Sequence, residues 1–117
     1  MMTRHEAGEM PMRSITAALV VAFVGGTVVA FAAERSIGQK GKVFSESAVT
    51  IRKGDVVLFV NDDSVTHNVM STDPGNEFNI GSQAPGVSTP VTFDKSGEFT
   101  IMCAIHPRMK LTVKVNN

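Results

Sequence analysis

The stretch Glu98–Val115, EFTIMCAIHPRMKLTVKV, decides the fold. Phe99, Ile101 and Cys103 alternate with Glu98, Thr100 and Met102, and after a short interruption Met109, Leu111, Val113 and Val115 alternate with Lys110, Thr112 and Lys114. Successive side chains of a strand point to opposite faces, so this period of two describes two half-buried strands. The interruption, Ala104–Arg108, is the loop between them. Cys103 at the end of the first strand and Met109 at the start of the second share the apolar parity, and both are expected to point inward.

The same pattern extends upstream. Asp94-Lys95-Ser96-Gly97 is a hairpin-type turn joining Glu98–Met102 to a short strand at Val91–Phe93. Ala48–Ile51 reads as a strand closed by the turn Arg52-Lys53-Gly54-Asp55, and Val56–Val60 is apolar at every position, as a strand covered on both faces would be. Asn61–Ser64 is a polar loop leading into Val65–Met70, where Val65, His67 and Val69 share a parity. His67 thus falls on an otherwise apolar face, where an imidazole without a partner is costly. Ser71–Pro90 is rich in Pro, Gly, Ser, Thr and Asn and reads as loop with a short strand near Phe78–Ile80. No helical periodicity, internal repeat or low-complexity tract follows residue 36. About seven short strands separated by turns predict an all-β chain, a small Greek-key β-sandwich.

Composition narrows the function. The chain has 117 residues, enough for one domain, with 11 basic and 11 acidic side chains and 43% apolar residues. A disordered chain and a nucleic-acid binder are thereby disfavoured. With no Trp and no Tyr, stacking platforms for single-stranded nucleic acid are also disfavoured. The single Cys103 excludes an intrachain disulfide, a Cys₄ or Cys₂His₂ zinc site and a Cys-x-x-Cys redox pair.

Ile15–Ala33 carries no charge, follows Arg13 and precedes Glu34 and Arg35. A basic start, an apolar centre and the small-x-small triplet Ala30-Phe31-Ala32 describe a secretory signal over residues 1–32, cleaved before Ala33, with an uncleaved anchor as the alternative. The expected exported domain is residues 33–117, placed in the periplasm. Removing Arg4, Arg13, Glu6 and Glu9 with the leader leaves nine side chains of each sign, so this domain is neutral as well. His5 goes with the leader and is no ligand candidate. A domain of 85 residues buries little surface, and a metal is one of the few staples open to a chain with one cysteine.

Cys103, His106 and Met109 form Cys-x₂-His-x₂-Met on one loop, and His67 lies on another. Taken singly, Cys103 reads as a buried structural thiol, His67 as a hydrogen-bonded core residue and Met109 as a gap-filler. Together they make a donor set of two imidazoles, a thiolate and a thioether, which disfavours Mg²⁺ and Ca²⁺ and favours copper. Two His and one Cys around copper with a weak axial Met is the blue-copper electron-transfer arrangement. Cys103 and His106 as nucleophile and base lack an evident third group. Met70 and Met102 read as packing or rim, and Asp62 and Asp63 as a solvated turn.

From about Phe44 to Val115 the chain resembles a cupredoxin of the plastocyanin and amicyanin group. The likeness rests on Gly54-Asp55-Val56, Thr66-His67-Asn68-Val69, Ser96-Gly97-Glu98-Phe99 and Cys103–Met109, whose two-residue gap between His106 and Met109 is like that of amicyanins. It implies that His67, Cys103, His106 and Met109 bind one copper, and that Asn68 is an amide pinning the two ligand loops together. Thr66, Ala104 and Ile105 depart from residues frequent in the family. Ile105 in place of Pro leaves a backbone N–H near the Cys103 sulfur; a hydrogen bond there would raise the reduction potential, and Ile105→Pro would lower it. The N-terminus is shorter than in most of the family, and no strand is read before Ala48.

The resemblance implies a monomeric one-electron carrier, not an enzyme, with His106 at an apolar docking surface. Its partners would be redox proteins in transient complexes, an electron donor such as a dehydrogenase and an acceptor such as a c-type cytochrome, with no nucleic acid and with a membrane only if the leader stays uncleaved. A copper carrier or storage protein and a metal-free β-sandwich interaction module are the alternatives.

Overall fold

The computed structural model describes residues 25–27 and 31–117. Most of the leader expected over residues 1–32, including His5, lies outside the described residues. The described residues form nine strands: β1 (Glu34–Lys40), β2 (Val43–Phe44), β3 (Ala48–Arg52), β4 (Val56–Asn61), β5 (His67–Ser71), β6 (Phe78–Gln83), β7 (Ser88–Thr92), β8 (Gly97–Met102) and β9 (Lys110–Asn116). They form two sheets, ordered β2-β1-β4-β7 and β3-β9-β8-β5-β6. The all-β sandwich expected from the alternation is the fold observed. Among the described residues no helix is long and apolar enough to cross a membrane.

Alternation becomes burial in the expected way. Val49 and Ile51 of β3, Phe99 and Ile101 of β8, and Leu111, Val113 and Val115 of β9 are all at most 5% exposed, while their odd-even neighbours face outward. In β8 and β9 the register pairs Phe99 with Val113 and Ile101 with Leu111, so one apolar face is continuous across the hairpin. Phe44, Phe59, Phe78 and Phe93 form a chain of ring contacts between the sheets, with centroids 6.0–6.4 Å apart. Gly97 opens β8 with φ +143°, and a Cβ there would lie 3.0 Å from the Phe99 ring, so both conformation and space call for glycine.

Four expectations change. Β1 was not legible: Glu34-Arg35-Ser36-Ile37-Gly38-Gln39-Lys40 carries one large apolar residue, yet the strand lies inside its sheet, parallel to β4 and antiparallel to β2. Tertiary pairing overrides its weak propensity. Β4 is not covered equally on both faces; Val57, Phe59 and Asn61 are buried, and Val56, Leu58 and Val60 only partly. Β5 starts at His67, not Val65, because Val65 is 37% exposed in the preceding loop and a register shift between Asn68 and Met70 breaks simple parity. Β6 and β7 are longer than read; Pro90 is accommodated because β7 is an edge strand.

Among the described residues, every strand and every residue of the apolar core lies between Glu34 and Asn116. The ends of β4, β5 and β8 converge with the β1–β2 turn at one end of the sandwich, and there the loops carrying His67 and Cys103 meet.

Candidate metal centre

Asn61, fully buried at the end of β4, shapes the loop that delivers His67. Its Nδ2 donates to the carbonyls of Val65 and Gln83, both at 2.9 Å, and its Oδ1 accepts the Asp63 N–H at 3.0 Å. The last bond is an Asx-type turn, which folds the chain locally without a ladder partner. His67 then begins β5 opposite Gln83 of β6 and is 0% exposed. A second buried amide, Gln83, donates to the Phe59 carbonyl and to Thr89 Oγ1 and accepts from Gln39 Nε2, joining β6 to the opposite sheet behind His67.

The imidazole of His67 is oriented by Asp63. Asp63 Oδ2 lies 2.9 Å from His67 Nε2 and also accepts the Lys42 backbone N–H at 3.0 Å, while Oδ1 accepts the Ser64 N–H. Lys42 follows Gly41 in the β1–β2 turn, where φ is +58° and +62°, as a tight hairpin of two left-handed residues requires. The Lys42 N–H first, and the His67 ring next, lower the Asp63 carboxyl from 3.8 to about 2. An ionised carboxylate only accepts, so the proton of neutral His67 sits on Nε2 and its Nδ1 is left with a lone pair. Asp63 was read from sequence as part of a solvated turn; its side chain is instead 13% exposed and committed to His67. The only sequence signal was Asp-x₃-His, and outside a helix that spacing fixes no distance.

That Nδ1 faces the second histidine. His67 Nδ1 and His106 Nδ1 are 3.1 Å apart, and Cys103 Sγ is 3.8 Å from His106 Nδ1. The ligand atoms of His67, Cys103 and His106 all lie within 4.8 Å of one another, and among the described residues no other cluster of three His, Cys, Asp or Glu side chains could hold a metal. Donor atoms bound to one ion at about 2.0–2.3 Å lie about 3–4 Å apart, so the cluster fits a metal. The soft donor set fits copper, and no carboxylate belongs to it.

Asn68 links the two loops. Its N–H donates to Cys103 Sγ at 3.3 Å, its Oδ1 accepts the Ala104 N–H at 3.2 Å, and its Nδ2 donates to Asn79 Oδ1 and the Gly81 carbonyl, both at 2.8 Å. The sulfur's backbone donor is therefore Asn68. Among the described residues no hydrogen bond runs from the Ile105 N–H to this sulfur, in contrast to the expectation; the side chain of Ile105 is turned outward, 52% exposed. Met109, 1% exposed, closes the loop with its N–H on the His106 carbonyl at 2.9 Å. Cys103 and His67 are fully buried and His106 half-buried. His106 lines a cleft of about 420 Å³ with Lys42, Val43, Ile105, Pro107 and Arg108.

Comparison with known proteins agrees with this geometry. Residues 32–116 match the family model of copper-binding proteins of the plastocyanin/azurin family. The methylamine utilization protein MauL of Methylophilus methylotrophus is 35% identical over 66 residues, covering 54% of this chain; the match spans only 38% of MauL. A purple cupredoxin from Nitrosopumilus maritimus superposes with a TM-score of 0.63 at 26% identity, covering 70% of this chain and 99% of that one. A reduced Cu(I) amicyanin variant, at 21% identity and TM-score 0.67, covers 75% of this chain and 86% of its own and shares the fold. A copper-containing nitrite reductase from Thermus scotoductus SA-01 has a TM-score of 0.67 at 25% identity, with only 22% of its chain matched.

Proposed function

This chain belongs to the plastocyanin/azurin family of copper-binding proteins, and from that premise we propose that it is a periplasmic one-electron carrier whose copper is held by His67, Cys103, His106 and Met109. It is a cupredoxin, a copper electron-transfer protein. The observation that carries the finer reading is the His67–Cys103–His106 cluster, in which two members are sealed from solvent and the third reaches the surface.

Bound copper supplies the Cu(I)/Cu(II) couple. The chain's own residues do the rest. Asp63 fixes the His67 tautomer and ring, and the Asn68 N–H steadies the charge on the Cys103 sulfur. The Asn68 side chain ties Ala104, beside Cys103, to the β5–β6 hairpin, so the two ligand loops resist moving apart when charge changes. Met109 lies on the core side and helps exclude water. His106, in the cleft among Val43, Ile105 and Pro107, is the exit toward a partner, and a small apolar contact of this kind suits a transient redox encounter.

The uncharged run Ile15–Ala33 after Arg13 supports export, with residues 33–117 as the functional domain. The partners we propose are redox proteins, a dehydrogenase as donor and a c-type cytochrome as acceptor, met by a monomer. A carrier is the reading we prefer to an enzyme because two imidazoles, a thiolate and a thioether are the donors of a one-electron copper site, and the likeness to the nitrite reductase spans 22% of that protein.

The test is to load residues 33–117 with Cu(II). An intense visible charge-transfer band that disappears in Cys103→Ser, with reversible electrochemical cycling and full retention of copper, supports the carrier. Loss of copper on reduction points to a copper carrier or store, and no band at all points to a metal-free interaction module.

A further inference from the structure

At the end of the sandwich opposite the cluster, among the described residues, the hydrogen-bonded backbone starts at Ala33. Phe31 is 89% exposed and Ala32 is exposed, without hydrogen bonds among the described residues, whereas the Ala33 carbonyl accepts the Val56 N–H at 2.9 Å and Glu34 then pairs with Val56 in the parallel ladder. The Ala33 nitrogen has its own acceptor, Asp55 Oδ1 at 3.0 Å. Asp55 Oδ2 accepts the Arg52 N–H at 2.8 Å, and its backbone is locked by bonds with the Arg52 carbonyl and the Phe93 N–H. Asp55 is only 9% exposed, and among the described residues no Lys, Arg or His side chain lies within ion-pair distance of it. Arg35 and Arg52 line the same cleft without reaching it. A nearly buried carboxylate with two amide donors and no cation is incompletely compensated.

We propose that Asp55 is the receptor for a new chain terminus: hydrolysis of the Ala32–Ala33 bond places the α-ammonium of Ala33 on the Asp55 carboxylate. A signal-peptidase-type protease adds water across that bond, leaving a carboxylate on Ala32 and an ammonium on Ala33. The Ala33 N–H already directed at Asp55 becomes a charged donor with no movement of the backbone. A charge-assisted bond is about twice as strong as a neutral one, so the processed chain is steadier than its precursor. The exposed run through Phe31 and Ala32 is open to the protease, and cleavage one residue either side would miss: a chain starting at Ala32 holds its ammonium beyond Asp55, and one starting at Glu34 has lost the donor. The inference rests on the export half of the proposed function and not on its copper half.

Two measurements test it. The intact mass of the protein recovered from the periplasm after expression of the full chain should equal residues 33–117; any other start overturns the inference, while the visible copper band reports separately on the carrier. Chains starting at Ala33, at Ala32, and at Nα-acetylated Ala33 should then be melted. The free Ala33 terminus should melt about 5 °C above the other two, and in Asp55→Asn the advantage should vanish. Equal melting of the three chains overturns the proposal. If Asp55→Asn does not fold, the comparison of free and acetylated Ala33 in the unmutated protein decides alone.

Discussion

Asp63 and His67 form a carboxylate–imidazole pair, Oδ2 to Nε2 at 2.9 Å, whose carboxylate is held by the N–H of Lys42 from a hairpin 21 residues earlier in the chain. Orientation of the most deeply buried histidine of the cluster therefore depends on the β1–β2 turn, an element with no residue in the cluster itself. Asp63→Asn keeps the shape but offers a weaker acceptor. Copper affinity should fall about 10- to 100-fold, as is typical when the hydrogen-bond partner of a ligating His is changed, with competition against a chelator as the measurement.

The same pair sets an acid limit for the metal-free protein. Asp63 has a folded pKa of about 2 against an ordinary 3.8, so its contribution to stability is complete above about pH 4 and is lost as pH falls through 2. Urea denaturation of the metal-free protein should show stability declining between pH 4 and 2, and Asp63→Asn should flatten that part of the profile. An unchanged slope in the variant would show that other carboxylates carry the acid transition.

Asn68→Ala removes three side-chain hydrogen bonds, to Asn79, Gly81 and Ala104. At about 1 kcal/mol each, the expected loss is about 2–3 kcal/mol. The backbone bond to Cys103 Sγ remains available, so the visible band should survive but broaden, and the reduced and oxidised forms should differ more in structure than in the unmutated protein.

Gln83→Leu tests the amide network behind His67. Gln83 is 2% exposed and serves Gln39, Phe59 and Thr89 across the two sheets. Its replacement strands Gln39 Nε2 in the core, where Gln39 Oε1 already lacks a protein partner. A destabilisation of about 3 kcal/mol is expected, against about 1 kcal/mol for Thr89→Val, read from chemical denaturation.

Ile105→Glu places a charge in the apolar cleft beside His106 without touching the Cys103 sulfur. Electron exchange with a partner should slow about tenfold while the reduction potential changes little. Because the whole chain carries 11 charges of each sign, the unmutated rate should depend only shallowly on ionic strength. A steep salt dependence would mean that the local cations Lys42 and Arg108 at the cleft dominate docking.

Much of this was legible before any coordinate. Phe99, Ile101 and Cys103, and Met109 through Val115, announce their faces by alternation, and burial follows that pattern because a strand's period is fixed by backbone geometry. That Cys103 and His106 lie together was equally plain, since their spacing is local. Β1 was not: Gln39 is buried because it meets Gln83, 44 residues away, and no neighbour in sequence reveals that. Val65 misled because the alternation was carried one turn past the true start of β5.

Sequence alone determined the sandwich class and which atoms are available to hold a soft metal. Only the tertiary structure decided that His67 and His106 approach to 3.1 Å, that Asn68 and not Ile105 donates to the Cys103 sulfur, and that Asp63 faces inward. The reason is physical. Strand faces and donor types are properties of residues and their immediate neighbours, whereas hydrogen-bond partners across a sandwich depend on sheet order and register, which the pattern of a single strand does not encode.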